Sequence, residues 1–202
     1  MIAILSDAGF DVVHPFAAHA VARELGLSML ADPERPAGWL VANTRAWWPR
    51  FLAARRADPD LAASRDPIND YVEKTCAKIS GARCFFPHRQ YDGAWLPFQR
   101  LAVAAGFGTL SPSNLVVHPT FGPWFALRAI VLTGDTPITR VLPAAPCACA
   151  ERCPVAFARA REAQDSWRAW LAVRDACCVG AEHRYSEDQI EYHYTKSLAL
   201  LR

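Results

Sequence analysis

The chain has almost no lysine. Its basic residues are nearly all arginine, scattered among acids, and the net charge is only +2. No basic stripe results, which excludes the electrostatic footprint expected of a nucleic-acid-binding protein. Long hydrophobic runs are also missing. The longest apolar stretch, 123–132, is roughly half of what spans a bilayer and contains Arg128, so no membrane association is expected. The first 11 residues lack a basic start followed by a long apolar segment, so no secretory leader is expected. The seven cysteines are an odd number, unlike a fully paired disulfide framework. Together these absences point to a reducing cytoplasm, where thiols stay free or ligate metal. No repeat, low-complexity segment, HExxH, nucleophile elbow, P-loop or kinase signature occurs, so no catalytic residue is assigned by motif.

What is present suits a folded protein: 52% hydrophobic and 21% charged residues over 202 positions, enough to bury the core of one domain with a small appendage. Pro15 fits the first turn of a helix over 16–25. Positions 38–42 read as a short buried strand, followed by a helix over 46–56. Asp66-Pro67 supplies an N-cap and first-turn proline for a helix over 68–79. Positions 83–86 are strand-like, 97–105 helical, and Gly106 is a C-terminal cap. The segments 114–117 and 124–132 are β-type and predicted to pair through the turn 118–123. After a Pro- and Cys-rich link (143–154), a helix is expected over 155–173. Ser186 and Gln189 form a capping-box pattern for a last helix reaching towards Leu201. Helices and strands mix without βαβ alternation, so the fold class is α+β.

Arg128 is the most informative single residue. Strand alternation places it on the face of Trp124, Ala126, Ile130 and Leu132. A guanidinium in such a run needs an anion. That anion is either an internal Asp or Glu, or the carboxylate or phosphate of a ligand, for which bidentate Arg is suited. Gly106-Phe107-Gly108 ahead of Ser111–Asn114 is either an ordinary turn or a loop whose amides approach a flat ligand; it precedes a strand, which excludes a dinucleotide fingerprint. Cys149-x-x-x-Cys153-Pro154 matches the tail of a ferredoxin-type run. Cys147 sits one residue too close and no fourth cysteine precedes it. Cys147, Cys149 and Cys153 are therefore iron–sulfur candidates only, and reduced cysteines with no metal are expected. His118 opens the turn, as a hydrogen-bonded structural residue or as a ligand contact. Trp47, Trp48, Trp167 and Trp170 read as packing residues.

Two blocks carry a resemblance. His118-Pro119-Thr120-Phe121-Gly122-Pro123-Trp124-Phe125-Ala126-Leu127-Arg128 is similar to the HPxFGxWFAxR segment of the cobalamin-processing CblC family, the methylmalonic aciduria and homocystinuria type C proteins. Trp167-Arg168-Ala169-Trp170, Arg174-Asp175-Ala176 and Arg184-Tyr185-Ser186-Glu187-Asp188-Gln189 resemble that family's WRDW, RDA and RYSEEQ series, with Leu198–Leu201 matching its LALL. The resemblance implies a nitroreductase-like (flavin-reductase-like) fold, a mixed or antiparallel sheet flanked by helices. Residues 1–142 would form the cobalamin-binding core, and 143–202 a C-terminal helical segment packed on the same domain. It implies cobalamin as ligand and removal of its upper axial group, by reductive decyanation with reduced flavin or by dealkylation with glutathione. A carrier without turnover and a corrinoid iron–sulfur reductase are the alternatives. Expected cobalamin contacts are Phe107, Gly108, Ser113, Asn114, Leu115 and Val116, then Val117, His118, Phe121, Gly122 and Trp124. Arg128 and Arg174 match family arginines that hold glutathione carboxylates. A third is replaced by Ser197, with Lys196 beside it as substitute. The stretch 104–116 departs from the family and resembles epoxyqueuosine reductase instead. Expected partners are cobalamin, a small thiol, a cobalamin-dependent enzyme or trafficking protein, and a second copy of the chain.

Overall fold

The computed structural model describes residues 1–144, 151–163 and 165–201. In chain order it forms α1 (Ile2–Asp7), β1 (Val12–Ala17), α2 (Ala18–Leu25), β2 (Ala37–Asn43), α3 (Trp48–Ala57), α4 (Pro59–Ala63) and α5 (Pro67–Cys76). These are followed by β3 (Arg83–Phe85), β4 (Gln90–Tyr91), β5 (Ala94–Trp95), α6 (Phe98–Ala104), β6 (Thr109–Leu110), β7 (Val116–Val117) and β8 (Ala126–Thr133). The C-terminal part contributes α7 (Arg152–Glu162), α8 (Trp167–Asp175) and α9 (Glu187–Thr195). Four strands make one sheet in the order β1-β2-β8-β3, all neighbours antiparallel. The two remaining strand pairs are β4-β5 and β6-β7.

The sheet is covered on both faces. Leu40, Ala42, Ile130 and Leu132 point into one core with Phe16, Phe85, Leu101 and Phe107. Trp39, Val41, Ala129 and Val131 point into the other with Trp47, Phe51, Val72 and Tyr192. That is why β2 reads as a continuous apolar run, every residue of it buried. Each fully buried Leu, Ile or Phe contributes roughly 1.5–3 kcal/mol by leaving water. The C-terminal elements close over the second core: Trp48 Nε1 donates to Asp188 Oδ2 at 2.7 Å, and Arg55 Nη1 to the Leu201 carbonyl at 2.7 Å.

Several expectations hold. Asp66 caps α5 and Pro67 starts it, while Gly106 follows α6 at φ +72°. Four need correction. Pro15 lies inside β1 rather than opening a helix; β1 is an edge strand, where a missing N–H is tolerated. Strands 116–117 and 126–133 do not pair. Both edges of β8 are taken by β2 and β3, so β7 pairs with β6, and only a His118–Gly122 bridge survives in the turn. The long helix over 155–173 is two helices, since Ser166 turns out of the first and caps the second through Ala169 N at 3.3 Å. The last helix stops at Thr195, where Lys196 adopts φ +55°.

A surface clamp fixes α5 to the link between β3 and β4. Glu73 accepts from Arg89 Nε and Nη2 at 2.8 and 2.9 Å and from His88 Nε2 at 2.6 Å. The guanidinium, then the His88 hydrogen bond, hold its carboxyl below its ordinary 4.5. A depressed folded-state value gives stability that is present above the unfolded value and lost as pH falls through the folded one. Thermal melts from pH 5 down to pH 3 should therefore show a smaller acid loss for Glu73→Gln than for the parent chain. Parallel acid limbs would remove the clamp from the stability balance.

Candidate functional site

Arg128 sits in a β-bulge. Val41 pairs with Ala129 but Ala42 pairs with Leu127, so β8 carries one extra residue opposite β2. A bulge puts two successive side chains on one side of the sheet and breaks alternation. Leu127 and Phe125 therefore remain with Ile130 and Leu132 in the first core. Arg128 turns to the opposite face, with its guanidinium 5.3 Å from the Trp47 ring centroid. The face expected from strand alternation is thereby corrected.

Arg128 Nε donates to Asn43 Oδ1 at 2.6 Å. Asn43, fully buried, is itself anchored by Nδ2 donating to the Thr44 carbonyl at 3.0 Å, and Thr44 N donates to Asp11 Oδ1 at 2.8 Å. The Thr44 hydroxyl donates to the other Asp11 oxygen. Among the described residues Arg128 forms no ion pair. Burial is the main force pulling its pKa down, opposed by Tyr185, Tyr192 and Asp66. Among the described residues no acid reaches ion-pair distance of Arg128, and Asp66 acts on it only from further away.

A cleft of about 220 Å³ opens beside it, lined among others by Leu115, Val116, Phe125, Arg128, Arg174 and His193. Arg174, in the last turn of α8, donates Nη1 to the Pro123 carbonyl at 2.6 Å and so ties α8 to the turn before β8. Among the described residues no Asp or Glu lines the cleft. The His193 imidazole is driven down to about 2 by burial, then by Arg174, Lys196 and Arg128, and is neutral at physiological pH. Lys196 lies on the far side of Arg128, its ammonium 5.6 Å from the Tyr192 ring centroid and its pKa lowered by burial and then by Arg128. Among the described residues none of these three cations is in an ion pair, and two of them, Arg128 and Arg174, share the cleft and give it a positive potential.

A second cleft, of about 340 Å³, is lined by Asp11, His14, Phe107, His118, Phe121 and Arg140 among others. His118 Nδ1 accepts from the amides of Thr120 and Phe121 at 3.1 and 3.2 Å, which places its proton on Nε2. Burial, then the charges of His14, Arg140 and His183, push it down to about 4. His14 Nε2 donates to the Ala105 carbonyl at 2.9 Å. Phe107 lines this cleft and Phe125 the first, and their rings meet edge-on at 5.0 Å. This pair stands between the two openings.

Eight of the site residues expected from sequence line three openings. Leu115, Val116, Arg128 and Arg174 meet at the first cleft; Phe107, His118 and Phe121 meet at the second; Lys196 lines a small cavity behind Arg128. Ser113 is buried and bonded to Ser111 Oγ at 2.9 Å, with Asn114 exposed next to it at φ +60°. The others are packed within the protein. Gly108 lies against the Val117 carbonyl, where a Cβ would come within 2.6 Å, and Val117 packs with Cys153, Cys177 and Val179. Trp124 packs on Tyr185, and Gly122 on the Val179 carbonyl. Cys147 and Cys149 lie outside the described residues, and among those described no cluster of His, Cys, Asp or Glu is arranged to hold a metal. Asn43, Trp47 and His193 were not singled out from sequence as site residues. Asn43 carried the one available signal, a polar residue closing an unbroken apolar strand.

These features describe a mixed α/β protein with an antiparallel sheet and a cleft, lined by two arginines, opening beside a bulged central strand. The chain belongs to the methylmalonic aciduria and homocystinuria type C (MMACHC) family, whose model matches residues 51–200. It is similar to the cyanocobalamin reductase / alkylcobalamin dealkylase of Bos taurus, 27% identical over 87% of this chain and 58% of the relative. It is likewise similar to the Homo sapiens protein of that name, 28% identical over the same shares. The chain thus spans 58% of the length of these relatives. The crystal structure of the C. elegans B12-trafficking protein CblC, a human MMACHC homologue, superposes with a TM-score of 0.66 at 16% identity, covering 95% of this chain and 88% of that one. The fold is therefore shared with CblC. An epoxyqueuosine reductase structure matches with a TM-score of 0.43 at 15% identity, covering 78% of this chain and 52% of that one.

Proposed function

We propose that this chain takes cobalamin as its substrate and removes the upper axial ligand, by reductive decyanation or by thiol-dependent dealkylation. The observation that carries this is the cleft of Arg128 and Arg174, flanked by Lys196 and without an acidic lining. Such a surface suits the carboxylates of a thiol such as glutathione, and its positive potential favours the thiolate over the thiol. In dealkylation the thiolate sulfur attacks the alkyl carbon on cobalt; the new S–C bond forms a thioether, and the Co–C electron pair stays with the metal as cob(I)alamin. Decyanation delivers electrons to cobalt and releases cyanide, with a reduced flavin as the proposed donor. The names of the relatives and the family membership support both chemistries.

Neither cleft alone encloses a corrin. We place the ring across the edge that they share, over Phe107 and the loop from Ser113 to His118, with Gly108, Val117, Gly122 and Trp124 supporting that wall from behind. The arrangement proposed for the domain is nitroreductase-like, with 143–202 packed on the core. Among the described residues no helix is long and apolar enough to cross a membrane; a cytoplasmic location is proposed on composition.

Titration of the protein with hydroxocobalamin and methylcobalamin tests the substrate. Micromolar protein should perturb the corrin absorption bands; unchanged bands with both forms would overturn the assignment. Multiple turnovers of methylcobalamin with glutathione then separate an enzyme from a carrier.

A further inference from the structure

The second core holds two thiols that meet each other. Cys76 is the last residue of α5 and 2% exposed; Cys84 is the middle residue of β3, half-buried against the same core. Both are free thiols. Two successive turns bring them together. Ile79 N donates to the Cys76 carbonyl at 3.0 Å and Ala82 N to the Ile79 carbonyl at 3.3 Å, with Gly81 between them at φ +70°. Cys84 then pairs with Val131 of β8, which holds β3 against the core that also buries Cys76. The two sulfurs are in hydrogen-bond contact.

The contact gives the two sulfurs different roles. Cys76 donates its S–H and Cys84 accepts. That hydrogen bond, then burial, then the charge of Cys84, push the Cys76 thiol up. The same hydrogen bond holds the Cys84 thiol below its ordinary 9.0, with burial opposing it. Cys84 is thus the sulfur that ionises first and the one that solvent reaches, the two properties of an attacking thiolate. Cys76 is shut off from solvent but touches whatever becomes bonded to Cys84. Once Cys84 is joined to another sulfur it carries no negative charge. Two of the causes that hold the Cys76 proton, the hydrogen bond to a thiolate and its charge, then disappear, and Cys76 becomes the better nucleophile of the pair.

We propose that Cys76 and Cys84, in contact between the end of α5 and β3, are a redox site: a dithiol that takes a low-molecular-weight disulfide as oxidant and closes into an intramolecular bridge. The Cys84 thiolate attacks one sulfur of the reagent. The S–S bond of the reagent breaks, and half of it leaves as a thiolate that takes up a proton. The Cys76 sulfur, its own proton passed to solvent, then attacks Cys84; the mixed disulfide breaks and the second half leaves in the same way. The protein loses two electrons and two protons, and the reagent gains them as two thiols. Neither Cys76 nor Cys84 lines the two clefts, so the site does not rest on the cobalamin assignment.

Incubation of the full chain with excess oxidised glutathione, followed by acid quenching, alkylation of the remaining thiols and tryptic mass mapping, tests this directly. Lys78 and Arg83 separate the two cysteines on cleavage. Their peptides should be recovered as one linked pair, unalkylated and lighter by two hydrogens than the two thiols, and dithiothreitol should release them. Cys76→Ala removes the resolving sulfur, so a glutathione adduct should accumulate on Cys84 instead. Recovery of both cysteines of the parent as alkylated thiols would overturn the proposal. So would a lasting glutathione adduct on Cys84 of the parent with Cys76 still alkylated. Both of these outcomes are read on the parent chain and hold whether or not the variant folds. The measurement uses no cobalamin, so failure here is distinguishable from failure of the substrate assignment.

Discussion

Gly122→Ala is expected to unfold the chain at temperatures where the parent is native, by roughly 4 kcal/mol or more, a drop of about 8–16 °C in melting temperature for a chain of this size. An added Cβ would lie 1.8 Å from the Val179 carbonyl oxygen and 2.7 Å from its carbon. The converse holds for Gly180, whose Cβ would come within 2.3 Å of the Phe121 carbonyl carbon. Two glycine turns thus lie back to back, one in the segment 118–123 and one just beyond α8. Neither can yield by rotating a side chain, because each obstacle is backbone. The first is held by paired His118–Gly122 hydrogen bonds of 2.9 Å. Gly122 also has φ +55°, which by itself costs an alanine about 1 kcal/mol. Gly26→Ala isolates that last part, since Gly26 has φ +69° and nothing within 4 Å. Thermal denaturation of both variants reads the difference. Equal losses would mean that the two turns do not interlock.

The same interlock explains what was legible in the sequence and what was not. The turn motif could be read and its strand located, because apolar runs and Pro-Gly punctuation are local signals. The partners of those strands are not local. That β8 lies between β2 and β3 depends on pairings with segments about 90 and 45 positions earlier, and the register shift at Val41/Ala42 leaves no mark in composition. The bulge defeats the alternation rule at the one residue where it mattered most, Arg128. The two arginines that line the cleft were singled out beforehand, Arg174 through the resemblance and Arg128 also through the cost of a guanidinium in an apolar run. Asn43, Trp47 and His193 gain their places only because α3, α9 and the end of β2 converge on the bulge. The capping-box pattern at Ser186 marked the start of α9 correctly, although its hydroxyl caps no helix amide and Gln189 Oε1 turns inward instead.

Arg128→Gln should leave the ligand-free protein as stable as the parent, because the substitution removes a charge that has no ion-pair partner among the described residues and that faces Arg174 and Lys196. The glutamine amide retains a donor for Asn43 and enough bulk to stay over Trp47. What it loses is a charge-assisted contact to a carboxylate in the open cleft, worth about 2–3 kcal/mol when the partner is left desolvated. In kinetic terms the KM for glutathione in methylcobalamin dealkylation should rise roughly 30- to 150-fold. Cobalamin affinity, read from the corrin bands, and decyanation with a reduced flavin should change little, because neither requires a thiol carboxylate. Arg128→Lys sharpens the test: it keeps the charge but loses the planar fork and the Nε that Asn43 holds, so a point charge in the same cleft should recover only part of the affinity. A sharp fall in the melting temperature of ligand-free Arg128→Gln, with glutathione KM unmoved, would return the arginine to a purely structural role. The asymmetry between thiol and corrin arms is what the bulge predicts, since it turns this one side chain out of the core that carries Phe107 and Phe125 and into the cleft with Arg174.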